Sequence, residues 1–320
     1  MSFYKKTNEI YLQWKYFFVI NINCTMKQNK LPLILLTLCT FFIFKNNLLI
    51  QNGILTSCQL FITKLFPSLF PMMILTDLFL YFDLPYLFEK KLGYFFQKFL
   101  HISANGLFIF LISLFSGTPT NVYALKNLYL EEKITKKEAE HLLKFIFFSN
   151  PLFLYTMLTL IFPNDLKTTF ILLFLPYFVN ILIAIFSIIK VEQTENMIFN
   201  FSKESLGSYL SKSINKAMST LLLILGCVCL FCLLDSFINP WHFPLLTGTL
   251  EISSGLKSLI SSSISFEIKK ILAYFFISFG GLSIHLQVKG ILSDTDISYL
   301  SFFKGRLLEF VIGFIILIFF

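Results

Sequence analysis

Eight apolar runs punctuate the chain, at about 31–49, 65–82, 105–116, 145–162, 168–189, 217–238, 271–282 and 307–320. Five are long enough to cross about 30 Å of hydrocarbon as helices rising 1.5 Å per residue. The runs at 105–116 and 271–282 are too short, and each ends in a Gly-bearing polar cluster. Short runs of this kind predict re-entrant or broken segments rather than spans. The last run extends back through Phe302 provided Lys304 and Arg306 snorkel to the interface. The pattern predicts an all-α polytopic membrane protein with about six full spans and two short re-entrant or broken helical hairpins.

The first interruption is the polar group Ser116, Gly117, Thr118, Pro119, Thr120 and Asn121, which ends the 105–116 run. Such groups are costly in lipid unless they line a protein-enclosed cavity. The second is Gly280, Gly281, Ser283, His285 and Gln287. Gly117 lies eleven residues before Leu128 and Gly281 eleven before Leu292, so the two stretches echo each other. Paired interrupted segments point to an inverted repeat around a central solute site. Ser149, Asn150 and Pro151 lie inside the 145–162 run; Pro151 is expected to kink it, either as structure alone or with Ser149 and Asn150 contacting a solute. Pro67 and Pro71 bend the second run in the same way, and Asp77 beyond them is an intramembrane carboxylate or, if the span ends early, an interfacial one.

Charge orients these elements. The chain has 320 residues, 56% of them hydrophobic and 14% charged, with a net charge of +8 and Arg306 as its only Arg. Mean hydropathy is +0.75. Soluble domains carry roughly 25% charged residues, so the basic balance reads as loop Lys that orient helices and not as a nucleic-acid surface. With a cytoplasmic N-terminus and both short runs returning as hairpins, segments 1–30, 83–104, 126–144 and 190–216 hold 17 of the 26 basic residues on the cytoplasmic side. The first hairpin then enters from the cytoplasm and the second from outside. The chain is thereby organised as an N-terminal segment 1–30, a first membrane half 31–190, a cytoplasmic linker 191–216 and a second half 217–320. Met26 is the expected initiator, and no cleavage site follows the first run.

Chemistry is sparse. Cys227, Cys229 and Cys232 share a run but not a helical face, and read as small buried hydrophobes. No zinc spacing, phosphate-binding loop or nucleophile elbow is present, so neither an enzyme nor a cofactor or metal site is expected. His101, His141 and His242 have no partner at catalytic spacing. Within 125–143, Thr135 and Glu138 form a capping box, and interleaved Glu and Lys read as a solvated helical elbow.

Four ordered blocks resemble the YlbJ-type sporulation integral membrane proteins. They are Lys64–Leu65–Phe66–Pro67–Ser68–Leu69–Phe70–Pro71 with Thr76–Asp77–Leu78; Ser116 to Asn121 with Leu128, Tyr129, Ile134, Thr135, Glu138 and Ala139; Ser149 to Phe153; and Gly280 to Val288. The resemblance covers roughly residues 31 to 320. That family is grouped with proteins carrying a nucleoside-recognition or Gate domain, similar to parts of concentrative nucleoside transporters and ferrous-iron transporters. It implies a multi-pass protein of the cell membrane acting in spore cortex formation. Thr118, Val122 and Ile146–Phe147–Phe148 depart from the family pattern. The leading expectation is a transporter or gate for a small solute, with the lipid bilayer, a second copy or other sporulation membrane proteins as partners. The alternative is a scaffold for spore-envelope assembly that moves nothing.

Overall fold

The structure is a computed structural model that describes residues 37, 40–41, 44–84, 86, 99–187, 205–238 and 243–319. The expectations for the 1–30 segment, Met26, His242 and most of the first run fall outside those residues. The chain divides into two compact units, 1–52 and 53–320. Of the first, the described part is its end, where α1 (Asn47–Leu60) begins; the remaining elements lie in the second.

All regular elements among the described residues are helical. A π-helical turn, Phe61–Leu65, joins α1 to α2 (Phe66–Tyr81), so Pro67 sits in a helix start and Pro71 inside α2. There follow α3 (Ala104–Ser116), α4 (Thr120–Leu130), α5 (Lys136–Leu142), α6 (Pro151–Ile161) and α7 (Leu166–Phe186). The second part holds α8 (Leu206–Ile238), α9 (Pro244–Leu250), α10 (Ile252–Ser261), α11 (Phe266–Phe279), α12 (Gly281–Ile291) and α13 (Tyr299–Ile318). Among the described residues, four helical stretches are long and apolar enough to span a membrane: 50–81, 166–186, 206–238 and 266–291. Phe170, Phe174 and Phe178 stay exposed along α7, as a lipid-facing stripe at helical spacing should.

Caps set the starts. Ser103 accepts the Gly106 N–H at 3.1 Å and Thr135 that of Glu138 at 3.2 Å. Asn150 accepts from Leu152 and Phe153 at 3.0 and 3.2 Å. These side chains satisfy amides that have no partner within the helix. Pro151 is therefore the first residue of α6, where its missing N–H costs nothing. The expected kink is instead a helix start, preceded by a non-helical, buried stretch at 146–148.

Polar contacts fix which ends lie together. Ser103 donates its N–H to Glu138 Oε1 at 2.6 Å, and Asn105 donates to the Lys133 carbonyl at 2.9 Å. The α3–α4 pair thus leaves the α5 elbow, turns at Gly117 and returns to it. The 292–298 loop docks on the same elbow: Lys126–Asp294 at 2.6 Å, Lys136–Asp296 at 3.1 Å, the Tyr129 hydroxyl on Asp296 at 2.5 Å, and the Ser298 N–H on Glu140 at 3.0 Å. At the other end, Phe162 meets Phe266 with ring centroids 5.3 Å apart.

Two expectations change with this. Residues 266–291 run from the far end to the elbow, so Gly280–Gly281 breaks a crossing and does not tip a hairpin; α11 and α12 do not pack on each other as α3 and α4 do. The pair that returns to the far end is α9–α10, whose arms pack tightly because a Cβ on Gly255 would run into the Gly248 backbone. The elbow is also less solvated than its charges predict. Glu138 and His141 are buried, and burial pushes the Glu138 carboxyl up and the His141 imidazole down to about 4.

The packing repeats between the two parts. α3 packs on α4 as α9 does on α10; α2 on α3 as α8 on α9; α4 on α5 as α10 on α11; α6 on α7 as α12 on α13. Across the parts, α6 meets α10 as α4 meets α12, and α5 meets α13 as α7 meets α11. The equivalent pairs α2–α8 and α7–α13 pack on each other.

Candidate functional site

The first polar interruption sits against the non-helical stretch before α6. Gly117 has φ +72°, and a Cβ there would lie 3.0 Å from the Asn150 nitrogen and 3.2 Å from the Phe148 carbonyl oxygen. Only glycine takes that backbone without strain. Thr118 donates its N–H to the Phe148 carbonyl at 2.8 Å, and Pro119 follows a cis bond. Asn121 donates to the Thr118 hydroxyl at 3.1 Å and to the Ile146 carbonyl. Ser116 donates back to Ile112 at 2.9 Å, whereas the buried Thr120 hydroxyl has no partner. Ser149 and Asn150 are half-buried, with Asn150 occupied as the α6 cap.

The second interruption meets the same stretch from the opposite part. Gly280 and Gly281 have φ +85° and +71°. A Cβ on Gly280 would press on the Phe147 ring at 2.7 Å, and one on Gly281 would lie 3.1 Å from the Ile252 nitrogen at the α9–α10 tip. So Gly117, Phe147 to Asn150, Gly280, Gly281 and Glu251 converge. Four helices start here: α4 and α12 run towards the elbow, α6 and α10 towards the far end. Glu251 caps α10 through the Ser253 and Ser254 amides at 3.1 and 2.6 Å. The other expected residues lie further along α12. Gln287 donates to Ser283 at 3.1 Å, while His285 bonds the Tyr299 hydroxyl at 2.6 Å and the Phe279 carbonyl at 3.0 Å.

A buried ionic group backs this crossing, and the sequence pattern concealed it. Arg306 is fully buried and does not snorkel. Its guanidinium pairs with Glu309, donates to Asn180 Oδ1 and the Lys144 carbonyl, both at 3.2 Å, and stands 4.2 Å over the Phe147 ring. Asn180 donates to Glu309 at 3.0 Å and to the Phe147 carbonyl at 2.8 Å. Tyr274 donates to the Glu309 carbonyl at 2.9 Å. The carbonyls of Lys144, Ile146, Phe147 and Phe148 thus accept from Arg306, Asn121, Asn180 and Thr118 in turn. Within hydrocarbon such backbone is tolerated only when protein groups satisfy it. The signals were present: the one Arg of the chain with a Glu three residues on, sharing a helix face.

Asp77 belongs to a separate polar centre. It is buried on α2 and accepts from Tyr123 at 2.9 Å, from Asn127 at 3.2 Å and from Ser213. It ties α2 and α8 to the returning arm of the first hairpin. Cys227, Cys229 and Cys232 are free thiols, and among the described residues no three His, Cys, Asp or Glu side chains come together as metal ligands.

No protein-family model matches the chain, and no solved structure matches it. The chain is 24% identical to the sporulation integral membrane protein YlbJ of Bacillus subtilis (strain 168), an alignment that covers 86% of this chain and 79% of that protein. This match bears out the YlbJ-type resemblance read from the residues.

Proposed function

We propose that the chain acts in endospore formation as a transporter or gate, passing a small solute where its two interrupted crossings meet. The observation that carries this reading is the convergence of four helix starts on Phe147–Asn150 and Gly280–Gly281. Hairpins that enter from opposite ends, beside crossings broken at mid-depth, are the arrangement in which secondary transporters hold solutes. Helix starts carry partial positive charge, and that of α12 has no side-chain cap, which suits a polar or anionic solute group there. No nucleotide-binding motif is present in the sequence, so movement is passive, ion-coupled or driven by a partner. The elbow, with Lys126, Lys133, Lys136, Lys137 and Lys144, and the Lys289 and Lys304 that now fall on its side, faces the cytoplasm on this reading.

The test uses a spore-forming host lacking its own relative, complemented with variants. Thr118→Val and Thr120→Val at the hairpin tip abolish complementation at unchanged membrane abundance, while Glu131→Ala and Lys137→Ala on the elbow surface do not. Mass spectrometry of small molecules then finds the same solute missing or accumulated in the null and the tip variants. Loss of function from the elbow variants alone, with tolerant tips and no solute difference, favours a scaffold and rejects transport.

A further inference from the structure

At the far end, the starts of α7 and α11 and the last turn of α13 enclose a cleft of about 190 Å³. Ligand pockets for drug-sized molecules run to roughly 300–1,000 Å³, so this one fits a headgroup-sized moiety. Its rim carries Asp165, Lys167, Thr168, Glu267 and Lys270. Ile171 and Leu317 supply apolar lining. Three helix ends meeting at one level put the rim at the depth of lipid headgroups.

The charges narrow the occupant. Lys270 reaches Glu267 at 2.8 Å, and its side chain is only 11% exposed, whereas that of Glu267 is 68% exposed. Lys167 makes no ion pair among the described residues. The first turn of α11 has no side-chain cap, so its amides add to the two ammonium groups as donors to an anion. Asp165 accepts the Thr168 N–H at 3.0 Å as the α7 cap and Glu267 holds Lys270, yet both carboxylates line the cleft, and a purely anionic headgroup would face them with like charge. We propose that the cleft binds a phosphoethanolamine headgroup, its phosphate on Lys167, Lys270 and the α11 amides, and its ammonium on Glu267 and Asp165. The chemistry is shared by ethanolamine phospholipid and by free phosphoethanolamine.

The full chain, purified in detergent, is tested by native mass spectrometry after exchange into vesicles containing equal phosphatidylethanolamine and phosphatidylglycerol. The wild type retains the ethanolamine lipid in preference. Lys167→Ala/Lys270→Ala lowers that retention by about thirtyfold, taking each Lys at the usual strength of a headgroup contact. Lys257→Ala, a far-end Lys outside the cleft, and Lys167→Arg/Lys270→Arg both retain it. Competition by free phosphoethanolamine, but not by inorganic phosphate, identifies the soluble compound as the occupant; no competition by either identifies the lipid. Equal retention of both lipids, or retention unaffected by the double Ala variant, overturns the proposal.

Discussion

The two glycine interruptions look alike in sequence and behave differently in the molecule. At Gly117 the chain reverses, and α4 returns along α3 to the elbow. At Gly280–Gly281 it bends and continues, so that α12 carries on to the elbow from the opposite end. The difference lies in what each glycine touches. Gly117 is wedged against backbone atoms of Phe148 and Asn150, which fixes a tight turn. Gly280 rests on the Phe147 side chain and Gly281 on the tip of α9–α10, so that break is shaped by packing between the parts. Glycine in an apolar run marks an interruption; the groups pressed against it decide between a turn and a break.

The largest effect expected from breaking this comparison comes from Arg306, on which both interruptions depend through residues 144–148. Arg306→Leu strands Glu309 in the core and costs about 3–5 kcal/mol, read as loss of folded protein in membranes. Arg306→Leu/Glu309→Leu recovers much of it, because removing both charges leaves none unpaired. Gly117→Ala ranks next, at about 1–3 kcal/mol of backbone strain, and no side-chain trimming nearby rescues it. Gly280→Ala costs a similar amount, yet Phe147→Leu restores part of the thermal stability, since its clash is with a ring. A rescue pattern reversed between the two glycines contradicts the distinction between them.

Asp77→Asn is smaller. It weakens three bonds to a carboxylate and should lower stability by about 1–3 kcal/mol without altering either interruption. The least effect is expected at the elbow. Lys126→Asp loosens the 292–298 loop by at most about 1 kcal/mol, and Lys126→Asp/Asp294→Lys restores it, both read from cross-linking between loop and elbow. Hydrogen bonds from Lys126 hold Asp294 below the usual carboxylate range, and those from Tyr129 and Lys136 do so for Asp296. These contacts therefore stabilise above the ordinary carboxylate value near 4 and are lost only as pH falls through the lowered ones.

The first hairpin was legible because its signals are local. Thr135 caps, Gly117 turns, and the Lys residues gather after Leu125. The second hairpin was not, because α9 and α10 are seven and ten residues rich in Thr, Ser and Gly, which read as a loop. Their partner signal, Gly248 facing Gly255, depends on a tertiary contact that spacing alone does not give. Arg306 misled for a similar reason: near the end of an apolar run, a snorkelling Arg and a buried one paired with Glu309 share one local pattern. The linker at 191–216 also hid the start of α8 at Leu206.

The central claim is that residues 244–261 return to the end they left while 266–291 cross, and sidedness tests it most directly. In a cysteine-free chain, single cysteines at the exposed positions Glu132, Ser263 and Ser293 are challenged in intact cells with a membrane-impermeant maleimide. The account predicts that Glu132→Cys and Ser293→Cys respond alike and Ser263→Cys oppositely. Labelling of Ser293→Cys together with Ser263→Cys, and not with Glu132→Cys, would contradict it.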